Sequence, residues 1–223
     1  MFNNNTISLK VVLIGKTNVG KTSILNQFIY KKYNMHTDST IGAAFFTKEY
    51  RFLYSINDFQ LYKLDSDKKD KKEINIKLEI WDTAGQEKYN SLVQMYYRDA
   101  HIIYFVHEAN NQLITDPNNY TNDIITRLDS NIFACINKNA VKYIIYNKCD
   151  LLEYDIYNRQ LSNPNKYNII TRYVSAYKNK NIENIFIDAI IDYLNNNLKN
   201  LLKLRNNNNL INITDKQKES KCC

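Results

Sequence analysis

Residues Gly15–Thr22 read GKTNVGKT, the residue types and spacing of a loop that binds phosphate. Glycines at Gly15 and Gly20 let the backbone approach an anion, so that N–H groups and the positive end of the following helix point at phosphate oxygens. Lys21 would bridge the terminal phosphates, and the Thr22 hydroxyl would complete a Mg²⁺ shell. The alternative is a glycine-containing turn with a solvated lysine, but the flanking strand and helix patterns favour the phosphate loop.

A second polar group, Asp82-Thr83-Ala84-Gly85-Gln86, follows an apolar strand that ends at Trp81. Asp82 is placed to hold Mg²⁺ through water, and Gly85 can offer its N–H to a γ-phosphate. Gln86 lies one residue further, where it can orient an attacking water. Read alone the sequence is also typical of a turn, whereas downstream of a phosphate loop it predicts hydrolysis of a nucleoside triphosphate.

A third group, Asn147-Lys148-Cys149-Asp150, follows another apolar strand. The Asp150 carboxylate can accept from both the ring N–H and the exocyclic amine of guanine, a pattern that adenine lacks. Asn147 would brace the loop, and the Lys148 stem would lie over the base. Backbone N–H groups of Ser175 and Ala176, after the last strand, would close the base pocket.

Strands that alternate with helices must position these groups, which predicts an α/β fold with a mostly parallel sheet wound on both faces. Ligands of such sheets bind at the carboxyl ends of the strands, where each polar group falls. The predicted strands are Leu9–Ile14, Phe46–Tyr54, Ile74–Trp81, His101–His107, Val141–Tyr146 and Ile169–Val174. The predicted helices are Thr22–Tyr30, a stretch ending near Asp99, Asn119–Leu128, a short one within Leu151–Gln160, and Ile182–Asn197.

Length and composition fit one ordinary domain, since the chain has 223 residues, 44% of them hydrophobic and 24% charged. Residues 1–8 are expected to form a flexible N-terminus, 9–199 the domain and 200–223 a linker. The net charge is +7, but scattered basic residues argue against nucleic acid, while the basic tail leaves a membrane surface open. We find no signal peptide or transmembrane pattern, which points to the cytosol. The charged stretch 55–73 is expected to be an exposed hairpin loop, solvated rather than built for a specific partner.

With these motifs in place the chain resembles the Rab family of Ras-like small GTPases. The motifs that carry the resemblance are GKTNVGKT, DSTIGAAF, WDTAGQEKY, NKCD and SAY, and it covers about Leu9–Leu198 and the two terminal cysteines. The runs STIGAAF and WDTAGQEKYNSLVQMYYR look most like the early-endosomal branch. The resemblance implies the phosphate-loop small G protein fold, with a six-stranded, mostly parallel sheet and helices on both faces.

The resemblance also implies a role for each matching position. Gln86, Lys21 and Thr40 would be catalytic, and Thr22, Thr40 and Asp82 would hold Mg²⁺. Partner proteins would read Ile41, Phe45, Trp81 and Tyr96, although core packing is another interpretation of the three aromatic residues. The expected nucleotide-binding residues, for GTP and GDP, are Gly15, Thr17, Asn18, Val19, Gly20, Lys21, Thr22, Ser23, Tyr33, Thr40, Gly85, Asn147, Lys148, Asp150, Ser175 and Ala176.

Cys222 and Cys223 match the family's double-cysteine ending, the substrate for geranylgeranyl transfer, and two such chains suffice for stable anchoring. The resemblance implies a monomer on the cytoplasmic face of membranes, on endosomes or transport vesicles, with a cytosolic pool. Its expected partners are an exchange factor, a GTPase-activating protein, effectors, an escort protein and a dissociation inhibitor, and not nucleic acid.

Several positions depart from the family pattern. Asp82 lies 42 positions after Thr40, which exceeds the usual spacing, and the excess is the stretch 55–73. Tyr177 replaces a lysine, which predicts preserved guanine preference with faster nucleotide loss. His107-Glu108 replace Tyr-Asp, and Asn18 is larger than usual. Two other functions stay open: a nucleotide-locked scaffold that scarcely hydrolyses GTP, and a phosphate-loop ATPase or small-molecule kinase, for which ATP would compete with GTP.

Overall fold

A computed structural model of the chain describes residues 6–35, 40, 42–55, 61–62, 71–85, 96–128, 136–158 and 168–197. The strands are β1 (Thr6–Ile14), β2 (Ala43–Ser55), β3 (Leu61–Tyr62), β4 (Lys71–Thr83), β5 (Ile102–Glu108), β6 (Val141–Asn147) and β7 (Ile169–Tyr173). The helices are α1 (Lys21–Tyr30), α2 (Gln112–Thr115), α3 (Pro117–Arg127) and α4 (182–197).

The strands form one sheet in the order β3-β2-β4-β1-β5-β6-β7. All neighbouring pairs are parallel except β2 with β3 and β2 with β4, which confirms the predicted six-stranded, mostly parallel sheet; the two-residue β3 is added at its edge. Alternate residues of β1 point to opposite faces. Leu13 packs in a core with Phe28 of α1 and Phe186 of α4, whereas Val12 packs in a core with Ile124 of α3. Helices therefore cover both faces, as predicted.

Two predictions about the edges of the domain are wrong. Residues 6–8, expected to be flexible, belong to β1, because they pair in parallel with residues 75–77 of β4. The hairpin between β2 and β4 is also longer than expected, since pairing continues to Ser55 and Lys71, and the Ser55 side chain is buried. The region expected to be an exposed loop is therefore shortened from both ends, and the remaining residues, 56–60 and 63–70, lie outside the described part.

The segment after β6 contains a short 3₁₀ turn at Cys149–Leu151, and residues 152–158 are not helical, so the helix expected within Leu151–Gln160 is absent from the described residues there. The Asp155 carboxylate accepts a 3.0 Å hydrogen bond from the Tyr157 N–H, which favours a turn over a helix. The helix expected to end near Asp99 ends at residue 97, because Asp99 adopts a left-handed conformation with φ 58°.

Glu183, near the start of α4, joins three elements of the domain. Its carboxylate accepts hydrogen bonds from Lys31 at the end of α1 and from Lys48 and Tyr50 of β2. The Lys48 ammonium also lies 3.8 Å from the centre of the Phe28 ring. Burial alone would raise the pKa of Glu183, but the hydrogen bonds from Lys31, Tyr50 and Lys48 outweigh it, so the pKa lies below the ordinary value of 4.5.

We therefore expect Glu183→Gln to lower the free energy of unfolding at pH 7 by about 1 kcal/mol, a modest figure because about a third of the side chain is exposed. A carboxylate with a lowered pKa stabilises the folded state above its ordinary pKa and stops doing so as the pH falls through the folded value. Urea unfolding of both proteins should thus give a difference at pH 7 that shrinks below pH 4.5. A difference independent of pH would contradict the assignment, and Asp99→Asn, at an exposed position outside this cluster, serves as control.

Candidate nucleotide site

The phosphate loop connects β1 to α1 and is confined by its neighbours. A Cβ atom at Gly15 would lie 2.3 Å from the Val106 carbonyl oxygen, so only glycine fits there. The Lys21 ammonium donates to the carbonyl oxygens of Gly15 (2.8 Å) and Lys16 (3.0 Å), which holds this side chain across the loop. Burial lowers the pKa of Lys21, and the nearby Asp82 carboxylate opposes that shift.

Three oxygen-bearing side chains meet beside this loop. The Thr22 hydroxyl donates a 2.6 Å hydrogen bond to Asp82, and the hydroxyl oxygens of Thr22 and Thr40 are 2.9 Å apart. Asp82 is fully buried, and its Oδ1 has no hydrogen-bond partner among the described residues. Burial raises the pKa of Asp82, while the hydroxyls and Lys21 act in the opposite direction. A buried carboxylate oxygen without a protein partner, beside two hydroxyls, is a donor set that suits Mg²⁺.

Gly85 brings the segment after β4 against the phosphate loop. A Cβ atom at Gly85 would lie 2.4 Å from the Thr17 backbone nitrogen, so this close approach requires glycine. The segment is also tied to the start of β2, because the Ala84 N–H donates to the Gly42 carbonyl at 2.8 Å. Gln86 and Ile41 lie outside the described residues, as do Cys222 and Cys223.

Asn147, at the end of β6, connects the phosphate loop to the loop after β7. Its side-chain nitrogen donates to the Val19 carbonyl at 2.9 Å, and its side-chain oxygen accepts from the Ala176 N–H at 3.1 Å. Gly20 passes so close that a Cβ atom there would lie 2.3 Å from the Asn147 amide nitrogen, and Gly20 has φ 92°. The sequence predicted that Asn147 braces a loop, and the structure shows which loops it joins.

Asp150 and Lys148 are each held by a residue from a neighbouring loop or strand. The Ser175 hydroxyl donates to the Asp150 carboxylate, and the Lys148 ammonium pairs with Glu108 of β5 at 2.8 Å. The N–H groups of Ser175 and Ala176, which are expected to close the base pocket, donate in this structure to the carbonyl of Lys180 and to the Asn147 side chain. These two residues also position Asp150 and Asn147, through the Ser175 hydroxyl and the Ala176 N–H.

A cleft of about 560 Å³ opens between the phosphate loop and these residues. Eight of the expected nucleotide-binding residues line it: Asn18, Gly20, Ser23, Tyr33, Asn147, Lys148, Asp150 and Ala176. Four more residues complete the lining: Asn34, Met35, Leu151 and Tyr177. The structure thus gathers the phosphate loop, the oxygen cluster and the loop Asn147–Asp150, which is expected to recognise guanine, at one edge of the sheet.

The Ras family model matches residues 10–195 of the chain. The chain belongs to the Ras family. It is 25% identical over 217 residues to the human Ras-related protein Rab-7L1, with 96% of both chains covered. It is 35% identical over 184 residues to the putative Ras-related protein Rab-5B of Dictyostelium discoideum, covering 80% of this chain and 72% of that protein. Its relatives also include the GTP-binding protein YPT52 of Saccharomyces cerevisiae, 32% identical over 148 residues, or 66% of this chain and 56% of that one.

The chain is accordingly a Rab-type small GTPase and a GTP hydrolase. None of the helices in the described ranges is long and apolar enough to cross a membrane. Among the same residues, no cluster of three or more histidine, cysteine, aspartate or glutamate side chains is arranged to hold a metal ion.

Three aromatic residues of this GTPase form a contiguous group on the sheet beside the site. The Trp81 ring centre lies 5.0 Å from that of Phe45 and 5.5 Å from that of Tyr96. Phe45 is 51% exposed, whereas Trp81 and Tyr96 are half-buried and pack against the core. The two interpretations of these residues, a partner surface and core packing, are therefore compatible.

Sequence reasoning did not anticipate what two of the departures from the family pattern do. Glu108 pairs with Lys148. The sequence feature that could have predicted this pair is an acidic residue directly after one apolar strand and a lysine directly after another. His107 is half-buried near Lys16; desolvation and, to a lesser degree, the Lys16 charge lower its pKa to about 4, so it is neutral at pH 7. Neither residue lines the cleft.

We expect Asn147→Ala to lower the free energy of unfolding by about 2 to 3 kcal/mol, because it leaves a buried carbonyl and a buried N–H without partners. The variant should also release bound nucleotide faster, since the same amide holds the phosphate loop and the loop after β7 in position. Chemical denaturation and release of bound GDP measure the two effects. Asn139→Ala changes the same residue type at an exposed position and should be neutral in both assays. Equal behaviour of the two variants would show that Asn147 does not join the loops.

Proposed function

We propose that this GTPase is a membrane-anchored switch in vesicular traffic that changes conformation when it hydrolyses GTP. The observation that carries the proposal is the convergence of Thr22, Thr40 and Asp82, three residues from separate segments. Thr40 lies in the segment between α1 and β2, so its position beside the phosphate loop can depend on what the loop holds. A γ-phosphate would favour this closed position, and its loss would release the segment.

Recognition of the nucleotide is assigned to residues at the two ends of the cleft. Asp150, oriented by Ser175, would accept hydrogen bonds from guanine, while the loop backbone and Lys21 would hold the phosphates. Lys21 would exchange its bonds with the loop carbonyls for bonds with phosphate oxygens. Gly85, against Thr17, would present its N–H to the γ-phosphate.

The residues present fit Mg²⁺, since Thr22, Thr40 and Asp82 supply oxygen atoms and Asp82 Oδ1 has no other partner in the described part of the chain. The ion would neutralise phosphate charge when bound. Lys21 would stabilise the charge that develops on the transferred phosphoryl group, and Gln86 would orient the attacking water for in-line displacement. Intrinsic turnover should be slow, about 10⁻⁴ to 10⁻² s⁻¹, until an activating protein assists.

Gln86→Leu tests the catalytic assignment. We expect single-turnover hydrolysis of GTP to fall by about tenfold or more, because leucine cannot hydrogen-bond the water, while GTP affinity stays unchanged. Gln112→Leu, at an exposed glutamine of α2, is the matched control and should hydrolyse GTP at the natural rate. Equal rates for all three proteins would favour the nucleotide-locked scaffold, and unaided turnover at the rate of a metabolic enzyme would contradict the switch.

Membrane anchoring is proposed to depend on geranylgeranyl groups at Cys222 and Cys223, joined to the domain by the linker 200–223. Each buried CH₂ contributes about 0.8 kcal/mol, so two chains give stable attachment. The expected location is the cytoplasmic face of endosomes or transport vesicles, in keeping with the early-endosomal resemblance of the STIGAAF and WDTAGQEKY runs. The expected partners are an exchange factor, an activating protein, effectors, an escort protein and a dissociation inhibitor, acting on a monomer.

We expect the double variant Cys222→Ser, Cys223→Ser to be soluble after cell fractionation, because serine cannot carry the thioether-linked lipid. The natural sequence should sediment with membranes and show endosomal or vesicular fluorescence when tagged at its N-terminus. Cys135→Ser, which removes an internal thiol, is the control and should remain on membranes. Unchanged membrane association of the double variant would remove the lipid anchor from the proposal.

A further inference from the structure

Two tyrosines meet across the mouth of the cleft. Tyr33 lies three residues after α1, Tyr177 lies four residues after β7, and both line the cleft. Their ring centres are 5.3 Å apart and their planes are inclined by 68°, an edge-to-face contact. The contact is therefore made between two segments that are remote in sequence and that flank the expected position of the base.

Tyr177 is held on a short, well-bonded loop. Ser175 and Lys180 exchange two backbone hydrogen bonds of 3.1 and 2.9 Å, and the Lys178 N–H donates to the Ser175 hydroxyl at 2.9 Å. The Lys178 ammonium lies 4.9 Å from the centre of the Tyr177 ring. The hydrogen bonds of the loop and the Lys178 contact thus hold Tyr177 in the position from which it meets Tyr33.

The rim of the cleft carries four exposed hydrophobic or aromatic side chains. Tyr33, Met35, Leu151 and Tyr177 are 38, 80, 68 and 52% exposed, and all four line the cleft. A planar base bound at Asp150 would bury part of this surface and shield the pair from water. The exposed position of the two rings therefore leaves them available to contact a bound base.

We infer that Tyr33 and Tyr177 act as a clasp over the guanine cleft and slow the release of GDP. The inference rests on the proposed guanine site and adds Tyr177 to it as a positioning residue, which acts through Tyr33. It reverses the expectation from sequence, where a tyrosine in place of lysine predicted faster nucleotide loss. The lysine stem cannot make the edge-to-face contact, whereas the Tyr177 ring contacts Tyr33 in the segment after α1.

Release of a fluorescent GDP analogue from the full chain, chased with excess GDP, tests the clasp. We expect Tyr177→Ala and Tyr177→Lys to release the analogue about two- to tenfold faster than the natural sequence. Tyr177→Phe keeps the ring and should release at the natural rate. Tyr154→Ala, at a tyrosine that is 62% exposed and outside the cleft lining, is the matched control and should also be unchanged. An unchanged rate in Tyr177→Ala would overturn the clasp.

A double-mutant cycle separates the pair from two independent contacts with the base. Tyr33→Ala should also speed release, and adding Tyr177→Ala to it should have little further effect, because the partner ring is already gone. Multiplicative effects would overturn the pairing. A competition experiment between ATP and GTP for binding to the natural protein distinguishes failure of the proposed guanine site from failure of the clasp. Loss of guanine selectivity would overturn the proposed function and the clasp together, whereas selective binding with an unaltered release rate in Tyr177→Ala would overturn the clasp alone.

Discussion

The buried side-chain amide of Asn147 is the interaction on which the site depends. It is 1% exposed, and it uses one donor on the phosphate loop and its acceptor on the loop after β7. A buried amide that loses either partner is left with an unsatisfied, desolvated polar group, so separating the two loops carries a large free-energy penalty. The phosphate half and the base half of the cleft are therefore held at a fixed distance before any ligand arrives.

The opposite side of the site is held by contacts that exchange more easily. Thr40 touches Thr22 and Asp82 only through hydroxyl and carboxylate oxygens, atoms that a ligand or water can satisfy as well. Glu183 binds Lys31 and Lys48, one on each side of the segment that contains Thr40. The two ends of that segment are thus tied to α4 on either side of Thr40.

Much of the fold and of the site could be predicted because the relevant signals are local. The phosphate loop and Asn147–Asp150 are short motifs at strand ends, and alternating strands and helices define the sheet. The contacts made by Glu183 and by the Tyr33–Tyr177 pair could not be predicted, since each joins residues far apart in sequence with no shared pattern. The length of the β2–β4 hairpin was underestimated for a different reason. Its charged residues predict exposure to solvent, but exposed charged side chains do not prevent the backbone pairing between β2 and β4.

The chain contains four glycines: at Gly15, Gly20 and Gly85 a Cβ atom would clash with neighbouring protein atoms, and Gly42 has φ 79°. Left-handed conformations also occur at four asparagines, Asn18, Asn168, Asn179 and Asn181, and at Lys31, Asp99 and Lys148. Asparagine tolerates this conformation yet explores less backbone space than glycine when the chain is unfolded, so each such turn forfeits less entropy on folding. Relative to glycine, asparagine at these positions narrows the unfolded ensemble and so stabilises the folded state without adding any contact to it.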